Sequence, residues 1–104
     1  MFAVTRLRAP DKDADALTRS VGELLSALSG RPGFLGGELG RSADDPALWA
    51  LVTRWDGVGS YRRALSAGPV KIAGAPVWVY ALDEPSAYVD AADGAAGEPS
   101  ARAT

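Results

Sequence analysis

The chain contains neither cysteine nor histidine. The first absence removes disulfides, thiolate nucleophiles and cysteine-based zinc sites. The second removes the commonest general base and metal ligand and the ordinary axial ligand of haem. Carboxylates alone are left to hold a metal, and Asp83-Glu84 has no further ligand candidates near it in sequence, so no metal site is expected. Positive charge is not clustered: the longest basic run is Arg62-Arg63 and the formal net charge is -2. Binding to nucleic acid, which needs a concentrated positive field, is therefore not expected. No apolar stretch approaches the roughly 18 residues of a membrane span. MFAVTRLRAP also lacks the basic start and long apolar centre of a signal peptide, so the reading is of a cytoplasmic protein without a membrane partner.

What remains is ordinary for a soluble domain: 47% hydrophobic and 23% charged residues over 104 positions, enough for one core and no more. A domain over residues 1–89 is expected. From Asp90 the sequence DAADGAAGEPSARAT has no large apolar residue and reads as a disordered tail over 90–104. Arginine far outnumbers lysine and alanine is abundant, a composition typical of a GC-rich bacterial genome.

FAVTRLR, residues 2–8, reads as a strand closed by Ala9-Pro10. Asp11 and Asp13 supply an N-cap and first-turn negative charge for a helix whose apolar stripe is Ala14, Leu17, Val21, Leu24 and Leu28, ended by Gly30 and Pro32. GFLGGELGR, residues 33–41, reads as a second strand with a bulge. SADDP is a turn, and LWALVTRW, residues 48–55, is the clearest strand of all. Asp56-Gly57 is expected to cap a helix over 58–66 that buries Val58, Tyr61 and Leu65. Residues 66–76 read as a loop with a turn of helix near Val70 to Ala73, and VWVYAL, residues 77–82, as strand four.

The order strand, helix, strand, strand, helix, strand is that of an α+β, ferredoxin-like βαββαβ fold with both helices on one face of a four-stranded antiparallel sheet. Strand three presents Leu48, Ala50 and Val52 on one side and Trp49, Leu51 and Trp55 on the other. The expected strand four opposes Val77, Val79 and Ala81 to Trp78, Tyr80 and Leu82. Both faces thus ask for cover, and the helices supply only one. Leaving about six such side chains wet forgoes on the order of 10 kcal/mol, an upper bound, at about 1.5 to 3 each. A homodimer joined through the second face is the expected answer.

With Pro32-Gly33-Phe34 opening strand two, the acidic turn Asp44-Asp45-Pro46, and Trp55 followed six residues later by Tyr61, the stretch RPGFLGGELGRSADDPALWALVTRWDGVGSYRRAL resembles the antibiotic biosynthesis monooxygenase-like family. The resemblance covers residues 2 to about 82. It implies a dimeric α/β barrel, a pocket between sheet and helices in each subunit, and a monooxygenase of antibiotic biosynthesis that needs no cofactor and acts on a small aromatic or polyketide-type molecule. The family's pocket tryptophan corresponds to Trp55 and its polar residue on strand one to Arg6. Haem-degrading relatives hold iron through a histidine on the second helix, which this chain lacks; ligation would fall to Tyr61, Tyr80 or Tyr88, and that activity is not expected.

The candidate catalytic residues are therefore Trp55, Tyr61 and Arg6, with Arg6 or Arg54 stabilising a substrate anion and Trp55 and Tyr61 meeting its rings. Phe34, Trp49, Trp78, Tyr80 and Arg54 are candidates for substrate binding. Without histidine the base would be Asp56, Tyr61 or water. Core packing competes for Phe34, Trp49, Trp55, Tyr61 and Trp78, helix capping for Asp56, and a dimer seam for Arg54. Two further activities remain open: a dimer that binds a small molecule without turning it over, and an isomerase or cyclase on the same fold.

Overall fold

The computed structural model describes residues 1–92. The expected tail over 90–104 lies outside the described residues from 93 onward. The elements are β1 (Phe2–Arg8), a short 3-10 turn (Asp11–Asp13), α1 (Ala14–Ser29), β2 (Phe34–Arg41), β3 (Leu48–Trp55), α2 (Val58–Ser66), α3 (Gly68–Trp78) and β4 (Ala87–Tyr88). The sheet order is β2-β3-β1-β4, with every pairing antiparallel. This is the ferredoxin-like α+β arrangement, here with three helices, and the sheet of the chain is open and not closed into a barrel.

Period explains why most of these elements form. Leu17, Val21, Leu24 and Leu28 of α1 recur on one helical face and are all buried. In β3 the alternation is of period two: Trp49, Leu51, Thr53 and Trp55 are buried, while Leu48, Ala50 and Val52 are half-buried and Arg54 is exposed. Their register partners Ala3 and Leu7 in β1 continue the buried face beneath the helices. Val4 lies opposite Val52 on the other face, which stays open within the chain. The two-sided character expected of β3 is thus present.

Strand four is where expectation fails. Residues 77–82 do not form a strand; α3 runs through Pro69 and Pro76 to Trp78 and packs on α1, burying Val70, Gly74 and Val77. Those three positions are four and three apart, a helical period hidden by β-branched and aromatic neighbours, and Pro76 resembles a stop. A turn follows, in which the Tyr80 and Ala81 amides donate to the Val77 and Trp78 carbonyls at 3.0 Å each. Only Ala81 bridges to Leu7, and the true β4 is the two-residue Ala87–Tyr88, whose tyrosine stacks on Phe2 with ring centroids 5.5 Å apart.

Neither helix start is capped by the expected aspartate: the residue before α2 is Gly57, and neither it nor Asp13 makes a side-chain cap bond. The β2–β3 turn is held instead by Ser42, whose Oγ accepts from the Asp44 and Asp45 amides at 3.1 and 3.0 Å. Asp45 in turn accepts from the Ala47 amide and pairs with Arg8, and those contacts hold its carboxyl below the ordinary value.

Candidate functional site

At the corner between β3 and α2, Gly33 has φ +88°, and a Cβ there would lie 2.5 Å from the Cβ and Oγ of Ser60 and 2.6 Å from an Asp56 carboxylate oxygen. Only glycine permits that approach. The Asp56 amide donates to the Gly33 carbonyl at 2.9 Å, tying β2 to the start of α2. Phe34, just after the glycine, is thereby set edge-on to Trp55 at 5.1 Å, and the Tyr61 ring lies tilted to the same indole at 5.8 Å. Trp55 is 1% exposed, and its Nε1 donates to Thr53 Oγ1 at 2.9 Å. Its indole N–H is satisfied within the core.

The hollow part of the molecule lies next to this cluster. From Tyr80 onward the chain runs along the free edge of β1 but touches it at few points. The Arg8 amide donates to the Tyr80 carbonyl at 2.9 Å, the Leu82 amide to the Arg6 carbonyl at 2.9 Å, and the Val4 amide to the Ser86 carbonyl at 2.8 Å. Between the last two anchors, residues 83–85 arch away from the strand. The result is a cavity of about 280 Å³ walled by Val4, Thr5 and Arg6 of β1, Tyr61 and Leu65 of α2, Trp78 of α3, and Ala81, Leu82, Glu84 and Ser86 of the arch. Its volume suits a small planar molecule, and its walls mix apolar surface with a few polar groups.

Two polar pairs mark the cavity. Tyr61 Oη lies 3.3 Å from Ser86 Oγ, and either hydroxyl can be the donor. Arg6 donates from Nε and Nη2 to the two Glu84 carboxylate oxygens, each at 2.7 Å. The hydrogen bond to Glu84 and its charge raise the Arg6 pKa, and the Arg6 bond holds the Glu84 carboxyl below its ordinary value.

Of the candidates, Tyr61, Arg6 and Trp78 share the cavity. Trp55 stands behind Tyr61, and Phe34 behind Trp55. Trp49 is buried at the far end of β3, with Arg41 4.5 Å over its ring, and borders a separate depression of about 220 Å³ that Arg6 also reaches. Tyr80 donates to Asp13 at 2.8 Å, a bond that raises its pKa, and does not line the cavity. Arg54 is exposed on the open sheet face, opposite Phe2 and Gly36. Asp56 is exposed and is not among the cavity's lining residues.

Sequence reasoning missed Glu84, Ser86 and Thr5. For Glu84 and Ser86 the signal would have been Pro85, which cannot donate to a ladder and so marks a break in strand pairing along 83–86. Gly74 was missed too: a Cβ there would come within 2.8 Å of Trp78 Cε2 and closer still to Nε1. Its bareness lets the indole fold back along α3 to the cavity wall.

Structures of known proteins share this frame. A Caulobacter crescentus CB15 protein assigned to antibiotic biosynthesis monooxygenases superposes with a TM-score of 0.72 at 19% identity, over 86% of each chain. SnoaB, a cofactor-independent oxygenase from Streptomyces nogalater, gives 0.69 at 17% identity over 78% of this chain and 82% of its own. A conserved protein of Methanosarcina mazei Go1 gives 0.69 at 12% identity over 83% and 84%. No curated protein matches the sequence. Identities this low speak for the fold alone, but the sequence model of the antibiotic biosynthesis monooxygenases matches residues 1–71, from β1 through α2 and into α3, and so takes in the Arg6 strand and the Trp55–Tyr61 corner. The chain belongs to the antibiotic biosynthesis monooxygenase family.

Proposed function

We propose that the protein is a cofactor-independent monooxygenase that oxidises a small planar aromatic molecule held in the cavity between β1, α2 and the arch after α3. The observation that carries this reading is that cavity, in which Tyr61, Ser86, Arg6 and Trp78 converge in a chain of this family. The substrate ring lies against Trp78, Leu65 and Ala81, and its oxygen meets the Tyr61–Ser86 hydroxyl pair, which can donate to it or accept from it. An anthrone-type substrate then reacts as CH2 + O2 → C=O + H2O. The activated carbon gives up a proton to water and one electron to dioxygen. The substrate radical and superoxide join as a peroxide anion, which takes a proton back from water, and loss of water then leaves the carbonyl. The protein supplies orientation, a water-poor wall and hydrogen bonds to the substrate oxygen as negative charge gathers there. Arg6 stands at the cavity rim held by Glu84 through both carboxylate oxygens, and Trp55 positions Tyr61 from behind.

The working form is proposed as a cytoplasmic homodimer joined through the open sheet face. Val4, Leu48, Ala50 and Val52 are only half-buried there, and Leu35 at the β2 bulge is 68% exposed. Among the described residues no helix is long and apolar enough to cross a membrane.

Aerobic incubation with an anthrone in an oxygen electrode tests the activity. Protein-dependent uptake without added metal, flavin or haem is expected, and its absence across a panel of anthrones and naphthols contradicts it. One observation favours the second reading, a non-catalytic binder: the one carboxylate on the cavity wall among the described residues is engaged by Arg6, which leaves no free carboxylate there to act as a base. Binding of the same compounds without oxygen uptake would establish that reading.

A further inference from the structure

Arg6 and Glu84 are the only charged side chains on the cavity wall among the described residues, and they cancel each other. The pairing is constructed. Glu84 stands at the crest of an arch whose two feet are fixed to β1, by the Leu82 amide on the Arg6 carbonyl and by the Val4 amide on the Ser86 carbonyl, while the Glu84 amide donates to the Leu82 carbonyl at 3.0 Å. That backbone aims the carboxylate at the guanidinium, and both oxygens are used, in the fork geometry only an arginine offers. An exposed ion pair of this kind contributes little to stability, so its effect falls chiefly on the potential inside the cavity.

A carboxylate or phosphate ligand entering here finds its natural partner occupied and a like charge beside it. An uncharged hydroxyl group needs no counter-ion and finds the Tyr61–Ser86 pair. We propose that Glu84 is a specificity-determining residue: by pairing with Arg6 through both oxygens it neutralises the one cation of the cavity and selects uncharged, hydroxyl-bearing aromatic ligands over carboxylates and phosphates of the same shape. This rests on the reading of the cavity as the ligand site and is independent of turnover. The lowered carboxyl pKa of Glu84 keeps the pair charged from mildly acid pH upward.

Calorimetric titration with 2-naphthol and 2-naphthoate, alike in ring and different in charge, is the test. The wild-type protein is expected to prefer the naphthol by about tenfold or more. In Glu84→Gln the uncovered Arg6 should raise naphthoate affinity by about tenfold and leave naphthol within about twofold. In Arg6→Gln/Glu84→Gln the naphthoate gain should vanish, which separates charge from shape. An unchanged naphthol-to-naphthoate ratio in Glu84→Gln, or equal affinities in the wild type, would overturn the proposal. Binding of neither compound by the wild type would overturn the ligand cavity as well. The expected ratios without any oxygen uptake would uphold this proposal and remove the oxygenase.

Discussion

Trp55 and Trp78 both end an element and both belong to the aromatic complement on one side of the sheet, yet they do opposite things. Trp55 is buried against Phe34 and Tyr61 with its N–H satisfied by Thr53. Trp78 is half-buried, folded back over the bare Gly74, and forms part of a hollow. The difference lies in their backing. Behind Trp55 the strand pairs along its whole length and leaves no room. Beside Trp78 the chain meets β1 only at isolated points, and the arch over residues 83–85 leaves space that side chains do not fill. A site in this fold arises where pairing fails, and the packed aromatic corner is its support.

The contrast is most severely tested at its solid end. Trp55→Ala should cost about 3 to 5 kcal/mol in denaturant unfolding, since no neighbour can fill the vacated volume. A cost under about 1 kcal/mol would mean the corner is itself loosely packed. At the hollow end, Gly74→Ala should change stability by less than about 1 kcal/mol, because the helix gains propensity while the indole swings outward. The same variant should weaken 2-naphthol binding by about tenfold through the lost stacking wall; unaltered affinity would take Trp78 off the wall. Between the two regions, Tyr61→Phe should cost about 0.5 to 1.5 kcal/mol for the Ser86 hydrogen bond and slow oxygen uptake while leaving the Trp55 packing intact. Unchanged turnover would restrict Tyr61 to packing.

The smallest effect is that of pH on the arch. The Glu84 carboxyl lies below its ordinary value of 4.5 in the folded chain, so the pair's contribution is present above that pH and is lost as pH falls through and below it. The small stability difference between the wild type and Glu84→Gln should therefore close under acid. A difference that widened on acidification would contradict the assigned pairing.

Much of this could be read from residue order alone because the relevant periods are clean. β1, β3 and α2 fall on their expected bounds, and α1 follows its leucine stripe to Ser29. The corner at Gly33, Trp55 and Tyr61 was visible for the same reason, since its parts are neighbours in sequence or across one hairpin. Residues 77–82 were not, because the burial of Val77 is decided by α1, far away in sequence, and tertiary packing overrode the β-branched preference. The partnership of Arg6 with Glu84 spans nearly the whole domain, and no local pattern announces which arginine a distant glutamate will meet.

The most direct test of the central claim uses the indole N–H resonances of the three tryptophans in a two-dimensional nitrogen–proton NMR spectrum during titration with 2-naphthol. The Trp78 signal should shift progressively to saturation while those of Trp55 and Trp49 stay in place. A shift of Trp55 or Trp49 with Trp78 unmoved would put the ligand elsewhere and contradict the account.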